Sequence, residues 1–256
     1  MVAPAGERER SASPDIYAPL AGRAVFSGSA WVGGQWQQAE CLEFPDEYRV
    51  QVGLGPIFSV GRPGGEVACL EPCADDSPLA QEALDGPAGI LSNALRGVFR
   101  LHSSASYAPH GGIAFIGPSG RGKSTMADLL EAAGWPRLAD DILRLHIDGA
   151  SGASVLVGAE TSSRLAAIYL LADETATVQS RRLRGIEAVR TLVEQSIGTR
   201  LFGSGLLRAH FEFCGQLCAL VPIYRLDYPR RRDIGATVRT LIRADADLVG
   251  DHAIAD

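Results

Sequence analysis

Gly117-Pro118-Ser119-Gly120-Arg121-Gly122-Lys123-Ser124 fits G-x-x-x-x-G-K-[ST], a loop that cradles phosphate. The flanks agree with it. Gly112-Ile113-Ala114-Phe115-Ile116 reads as a short, fully buried strand. After the loop, Met126, Leu129, Leu130 and Ala133 recur at helical spacing, with Asp128 and Glu131 on the other side, and Gly134 and Pro136 stop the helix. Strand, glycine loop and helix together turn backbone N–H groups toward phosphate oxygens, and the helix N-terminus adds partial positive charge. The loop residues Gly117, Pro118, Ser119, Gly120, Arg121, Gly122, Lys123 and Ser124, with Thr125, form the expected nucleotide-binding set. Lys123 would reach the β- and γ-phosphates, and the Ser124 hydroxyl would ligate Mg²⁺. Lys123 is also the only lysine in the chain.

Asp140-Asp141 lies seventeen and eighteen positions after Lys123, in a run, Trp135–Leu145, that reads as a strand entering and leaving an acidic pair. Phosphoryl transfer needs an oxygen ligand for the metal and benefits from a carboxylate that takes the acceptor hydroxyl's proton. Adjacent residues of a regular strand point to opposite faces, so a kink or strand end is expected there. His102 stands just before the loop's strand. On spacing alone it is a structural histidine as readily as a functional one. Arg100–Ala105 reads as a strand that pairs with the P-loop strand across Pro109–Gly112.

Taken together, Leu101–Ala105, Ile113–Thr125 and Leu138–Asp141 resemble the catalytic domain of HPr kinase/phosphorylase, and more closely the small HPr-kinase-like proteins that tailor lasso-peptide precursors. Order and spacing agree over about 84–145, and Val221–Leu226 resembles the family's last strand. The resemblance implies an α/β fold: a P-loop kinase domain with a mixed sheet of the HPr kinase/phosphoenolpyruvate carboxykinase type, preceded by a small β-rich lobe. It implies ATP and Mg²⁺ as cofactors, a catalytic role for Asp140, His102 and Lys123, and metal ligation by Ser124 and Asp141, with Asp140 as the base. The implied acceptor is a serine hydroxyl of a peptide or protein, and homo-oligomers occur in the family. The chain departs from the family over residues 157–185, where the long substrate-recognition loop has no counterpart, so HPr itself is not the expected substrate. Arg164, Arg200 and Arg208 are weaker candidates for a clamp on the phosphoryl group. Arg230-Arg231-Arg232 reads as a solvated loop, or as a contact for an anionic group of a peptide.

With 256 residues, 46% hydrophobic and 21% charged, the chain has ample material for a core. A net charge of −6 offers no general attraction to nucleic acid or anionic membrane. No apolar run approaches the ~20 residues of a membrane span, and Met1–Pro14 has no apolar signal core, so a cytoplasmic protein is expected. Five cysteines suit reduced thiols. Cys69/Cys73 and Cys214/Cys218 are each four apart, but the pattern offers no histidine at ligand spacing, which favours small buried thiols over a metal site.

The expected organisation is a tail at 1–18, a β-rich lobe at 19–84, the P-loop domain at 85–245 and an acidic tail at 246–256, with fraying expected from Ala244 onward. Candidate lobe strands are Arg23–Phe26, Gln37–Phe44, Tyr48–Val52, Ile57–Val60 and Glu66–Leu70, with a turn at Gly33-Gly34; Asp75-Asp76-Ser77 reads as the cap of one helix, and Ala88 to about Phe99 as a second. Two other functions compete with a peptide kinase: a non-catalytic nucleotide-binding module and a small-metabolite kinase. A peptide groove between lobe and P-loop domain would favour the first reading, and a closed pocket the last.

Overall fold

The computed structural model describes residues 22–32, 35–70, 78–148, 152–157 and 161–252. The expected tail at 1–18, the Gly33-Gly34 turn, the acidic cap at 75–77 and Cys73 lie outside them.

Strands β1 (Arg23–Val32), β2 (Gln35–Glu43), β3 (Glu47–Val52), β4 (Phe58–Gly61) and β5 (Val67–Cys69) form a five-stranded antiparallel sheet in chain order. In β3 the burial alternates, with Tyr48, Val50 and Val52 inside and their neighbours partly exposed. This is the mark of a sheet with one covered face. Helices α1 (Pro78–Ala83) and α2 (Gly89–Leu95) follow, joined by a π turn in which Gly86 leaves helical geometry. The sequence suggested a second helix reaching Phe99. It ends at Leu95 because Gly97, at φ 75°, turns the chain into the next strand.

The second sheet holds β6 (Phe99–Ala108), β7 (Gly111–Ile116), β8 (Arg137–Ala139), β9 (Ile142–Asp148), β10 (Gly152–Val157), β11 (Thr161–Leu171), β12 (Gln179–Leu183) and β13 (Ile223–Asp227). Its order is β10-β9-β6-β7-β11-β13-β12, with β8 also on β6 and β10 also on β11. Only β7, β11 and β13 run parallel to one another. The expected hairpin between the His102 strand and the P-loop strand is present, with Ala108 opposite Gly111. The sheet is mixed, as expected.

Helix α3 (Lys123–Ala132) follows β7, and α4 (Gly185–Gln195), α5 (Ser204–Leu220) and α6 (Gly235–His252) complete the chain. In β7, Ala114 and Ile116 join one apolar cluster while Ile113 and Phe115 join another. The first cluster takes in the covered face of the five-stranded sheet, α2 and α5. The second lies under α3 and α6. A strand buried on both faces reads as an unbroken apolar run, which is why the Ile113–Ile116 stretch was legible.

The expected fraying after Ala244 is not found: α6 continues to His252. Asp245 is only 8% exposed, and its carboxylate accepts hydrogen bonds from Tyr169 at 3.0 Å and from Ser180. These bonds dock the later part of the helix on β11 and β12, a long-range effect that acidic composition does not reveal.

Candidate active site

The P-loop leaves β7 at Gly117 and enters α3 at Lys123. Gly117, Gly120 and Gly122 have φ of 145°, 77° and 87°. A Cβ at Gly117 would come within 3.1 Å of the Leu171 carbonyl oxygen, and one at Gly122 within 3.0 Å of the Tyr228 hydroxyl. All three dihedral angles favour glycine, and at Gly117 and Gly122 close approach does so as well. Lys123 is 7% exposed and donates to the Gly117 carbonyl at 2.9 Å and the Pro118 carbonyl at 3.3 Å. Burial pulls its pKa down, against the opposing pull of Asp141 and Asp140.

The acid pair interrupts what would otherwise be one strand. β8 and β9 both pair antiparallel with β6, Ala139 opposite Ala105 and Ile142 opposite His102. Between them Asp141 has φ 68°, and its carbonyl accepts from the Ser103 amide at 3.1 Å. The expected kink is this bulge, which re-aims the side chains on either side of it. Aspartate is one of the few residues that tolerate a left-handed backbone.

The two aspartates have unlike surroundings. Asp140 Oδ1 accepts from Ser104 Oγ at 2.6 Å, Ser124 Oγ at 2.9 Å and the Asp141 amide at 3.2 Å. Its Oδ2 accepts from Arg137 Nη1 at 2.7 Å, and Arg137 also pairs with Asp128. The Ser104 hydrogen bond above all, helped by Ser124 and Arg137, holds the Asp140 pKa below the usual carboxylate range. Asp141 projects outward with 79% of its side chain exposed, and His102 Nε2 lies 3.2 Å from its Oδ1.

The structure thus gathers Lys123, Ser124, Asp140, Asp141 and His102 at one end of β7. Ser104 and Arg137 were missed by the sequence reading. Ser104 had a signal: two residues from His102 on a strand, it shares His102's face. Arg137 had none. Arg164 is not at the site. The pairing of Leu165 with Gly112 places it at the opposite end of β7 from the P-loop. Arg200 and Arg208 make no bond to the loop or the acid pair among the described residues.

Other readings resolve away from the site. A groove of about 460 Å³ between the five-stranded sheet and the rest of the chain, near Arg62, Phe99, His146 and Phe213, contains none of the candidate residues. Cys214 and Cys218 do lie on one face of α5. A histidine at helical spacing was overlooked, since His210 Nε2 lies 3.5 Å from Cys214 Sγ and 2.8 Å from Ser196 Oγ. Among the described residues no group of three or more His, Cys, Asp or Glu side chains is placed to hold a metal ion. No helix among them is long and apolar enough to cross a membrane.

No protein-family profile matches the chain, and no curated protein does. Among solved structures, an Hpr(Ser) kinase/phosphatase from Coxiella burnetii aligns with 59% of this chain and 98% of its own, at 10% identity and a TM-score of 0.34. Similarity of that size decides neither mechanism nor substrate.

Proposed function

We propose that the chain is an ATP- and Mg²⁺-dependent kinase that phosphorylates a serine hydroxyl of a peptide or protein. The observation that carries the phosphoryl-transfer reading is the Ser124–Asp140 hydrogen bond. It joins the last residue of the phosphate loop to a carboxylate held ionised, which is a donor set of hydroxyl and carboxylate oxygens suited to a hard cation. The buried Lys123 ammonium fits the phosphates in the same way: burial disfavours its charge, and an anion in the loop would offset that cost.

Mg²⁺ bound beside Ser124 and Asp140 would neutralise charge on the β- and γ-phosphate oxygens. Lys123 contributes a second positive charge to the same oxygens. Asp141 takes the proton from the acceptor hydroxyl, and His102 holds the Asp141 carboxylate in position. The roles first expected for the two aspartates are exchanged in this proposal. A carboxylate already engaged by Ser104, Ser124 and Arg137, with a lowered pKa, is a poor proton acceptor. The outward-facing Asp141 can meet a substrate.

The acceptor class rests on the motif resemblance, with the small lasso-peptide-tailoring kinases as the nearest pattern. It is tested by incubating the protein with ATP, Mg²⁺ and a panel of serine-terminated peptides, HPr and free serine, and measuring added phosphate by mass spectrometry. Transfer to the peptides is expected. Transfer to free serine alone would make this a metabolite kinase, and no transfer to any acceptor would overturn the enzyme.

A further inference from the structure

A cavity of about 270 Å³ opens directly beside the P-loop, on the side away from the acid pair. Its wall is formed by Gly120–Gly122 and Thr125, its apolar floor by Met126 and Leu129, and its far side by Tyr228 and the run Arg230-Arg231-Arg232. None of Ser124, Asp140, Asp141 or His102 lines it. The sequence reading left that arginine run as a solvated loop or a peptide contact, and passed over Tyr228 altogether.

The strand order explains why this loop meets the phosphate loop. β7, β11 and β13 are parallel neighbours, so their carboxyl ends rise on one edge of the sheet. The P-loop leaves β7 there, Ala172 follows β11 there, and Tyr228–Arg232 leaves β13 there. Ligands of such sheets lie across these carboxyl ends. The site is tied together from flank to flank: Tyr228 Oη donates to the Arg121 carbonyl at 2.7 Å, and Arg121 Nη1 donates to the Ala172 carbonyl at 3.0 Å. The acid pair stands on the opposite flank of β7, where β8 pairs with β6.

Two flanks of one phosphate loop imply a direction. The γ-phosphate belongs where Lys123, Ser124 and the aspartates converge, because that is where charge develops and the metal oxygens gather. The other end of the nucleotide must then leave over Thr125 toward β13. We infer that the cavity between α3 and the Tyr228–Arg232 loop is the site for the nucleoside end of the nucleotide, with a guanidinium of the arginine run covering the base and Met126 and Leu129 beneath it. Guanidinium planes stack on nucleobase faces, and an apolar floor covers the other face of a flat ring system. Arg230 lies 3.8 Å from Glu174 and Arg231 3.4 Å from Asp233, both loose exposed pairs, while Arg232 has no ion-pair partner among the described residues. The run therefore has little to give up on turning toward a ligand.

This inference rests on the proposed nucleotide-dependent function and is separable from it by the choice of ligand. Binding of ATP and of inorganic tripolyphosphate, each with Mg²⁺, is measured by calorimetry on the wild-type chain, on Leu129→Trp, which fills the cavity, and on the triple variant Arg230→Ala/Arg231→Ala/Arg232→Ala. Both variants should weaken ATP by about tenfold or more while holding tripolyphosphate within about twofold of wild type. Equal weakening of both ligands by the triple variant would make the run a phosphate clamp and overturn the inference. So would ATP affinity unchanged in both variants. A wild-type chain that binds tripolyphosphate as tightly as ATP has no nucleoside site, yet leaves the P-loop reading standing. A wild-type chain that binds neither ligand removes both.

Discussion

Ser124 Oγ donates to Asp140 Oδ1 at 2.9 Å, across sixteen residues of chain that include all of α3 beyond its first turn. Ser104 Oγ, from β6, donates to the same oxygen at 2.6 Å. Three elements, the P-loop, β6 and the bulge after β8, thus meet on a single carboxylate oxygen, while the neighbouring Asp141 is left facing outward.

That asymmetry predicts that Asp140→Asn and Asp141→Asn separate. Asp141→Asn should lower kcat by about 10²–10⁴-fold with nucleotide affinity nearly unchanged, as for loss of a general base. Asp140→Asn should raise the Mg²⁺ concentration needed for half-maximal rate. A Mg²⁺ titration of steady-state transfer reads both. Equal and small effects would make the pair structural, and an Asp140→Asn defect confined to kcat would return the base to Asp140.

Lys123→Ala should leave less than about a tenth of the wild-type turnover, because no other ammonium stands at the phosphates. The fold should survive. Among the described residues, Lys123 Nζ bonds to carbonyls of its own loop, Gly117 and Pro118, so no tertiary hydrogen bond goes with it. Turnover assays paired with thermal melting check both halves, and a mutant that unfolds together with its loss of rate would give Lys123 a structural role instead.

Asp245 should give stability a pH dependence that Asp245→Asn lacks. Burial raises its pKa above the ordinary value of 3.8, outweighing the bonds from Ser180 and Tyr169. Tyr169 is itself held protonated by burial, so it is silent in this range. In the window above 3.8 the native state therefore holds the proton more tightly than the unfolded chain. The stabilisation is complete below that value and is lost as pH rises through the raised pKa. The melting temperature of wild type minus that of Asp245→Asn should grow as the buffer is taken from about pH 7 to about pH 4. A difference that stays flat would show the carboxylate to be ionised throughout.

The thiols should divide by burial. Cys41 and Cys214 are pushed to about 12 by burial, so almost none of either is thiolate at neutral pH, whereas Cys69 is exposed. Brief alkylation of the native protein followed by peptide mapping should modify Cys69 and spare Cys41 and Cys214 until denaturant is added. Native labelling of Cys214 at the rate of Cys69 would mean that α5 opens away from Phe99 and Phe202.

What the sequence determined by itself was local. The phosphate loop is eight consecutive residues whose glycine dihedrals, buried strand and following helix all lie within one stretch of chain. Composition and period therefore carry nearly all of its information, and the strand on either side of the acid pair was legible for the same reason. Residues partnered across strands were not. Which aspartate meets Ser124 depends on the φ of Asp141 and on the register of β8 and β9 against β6, where a slip of one residue would exchange the two side chains. Asp245 read as part of a fraying tail because its partners, Tyr169 and Ser180, lie 76 and 65 residues away. Arg230-Arg231-Arg232 read as a solvated loop or a peptide contact because only the parallel order of β7, β11 and β13 brings it beside the P-loop. Pairing order and register arise from packing summed over the whole sheet, and no short window of sequence contains that sum.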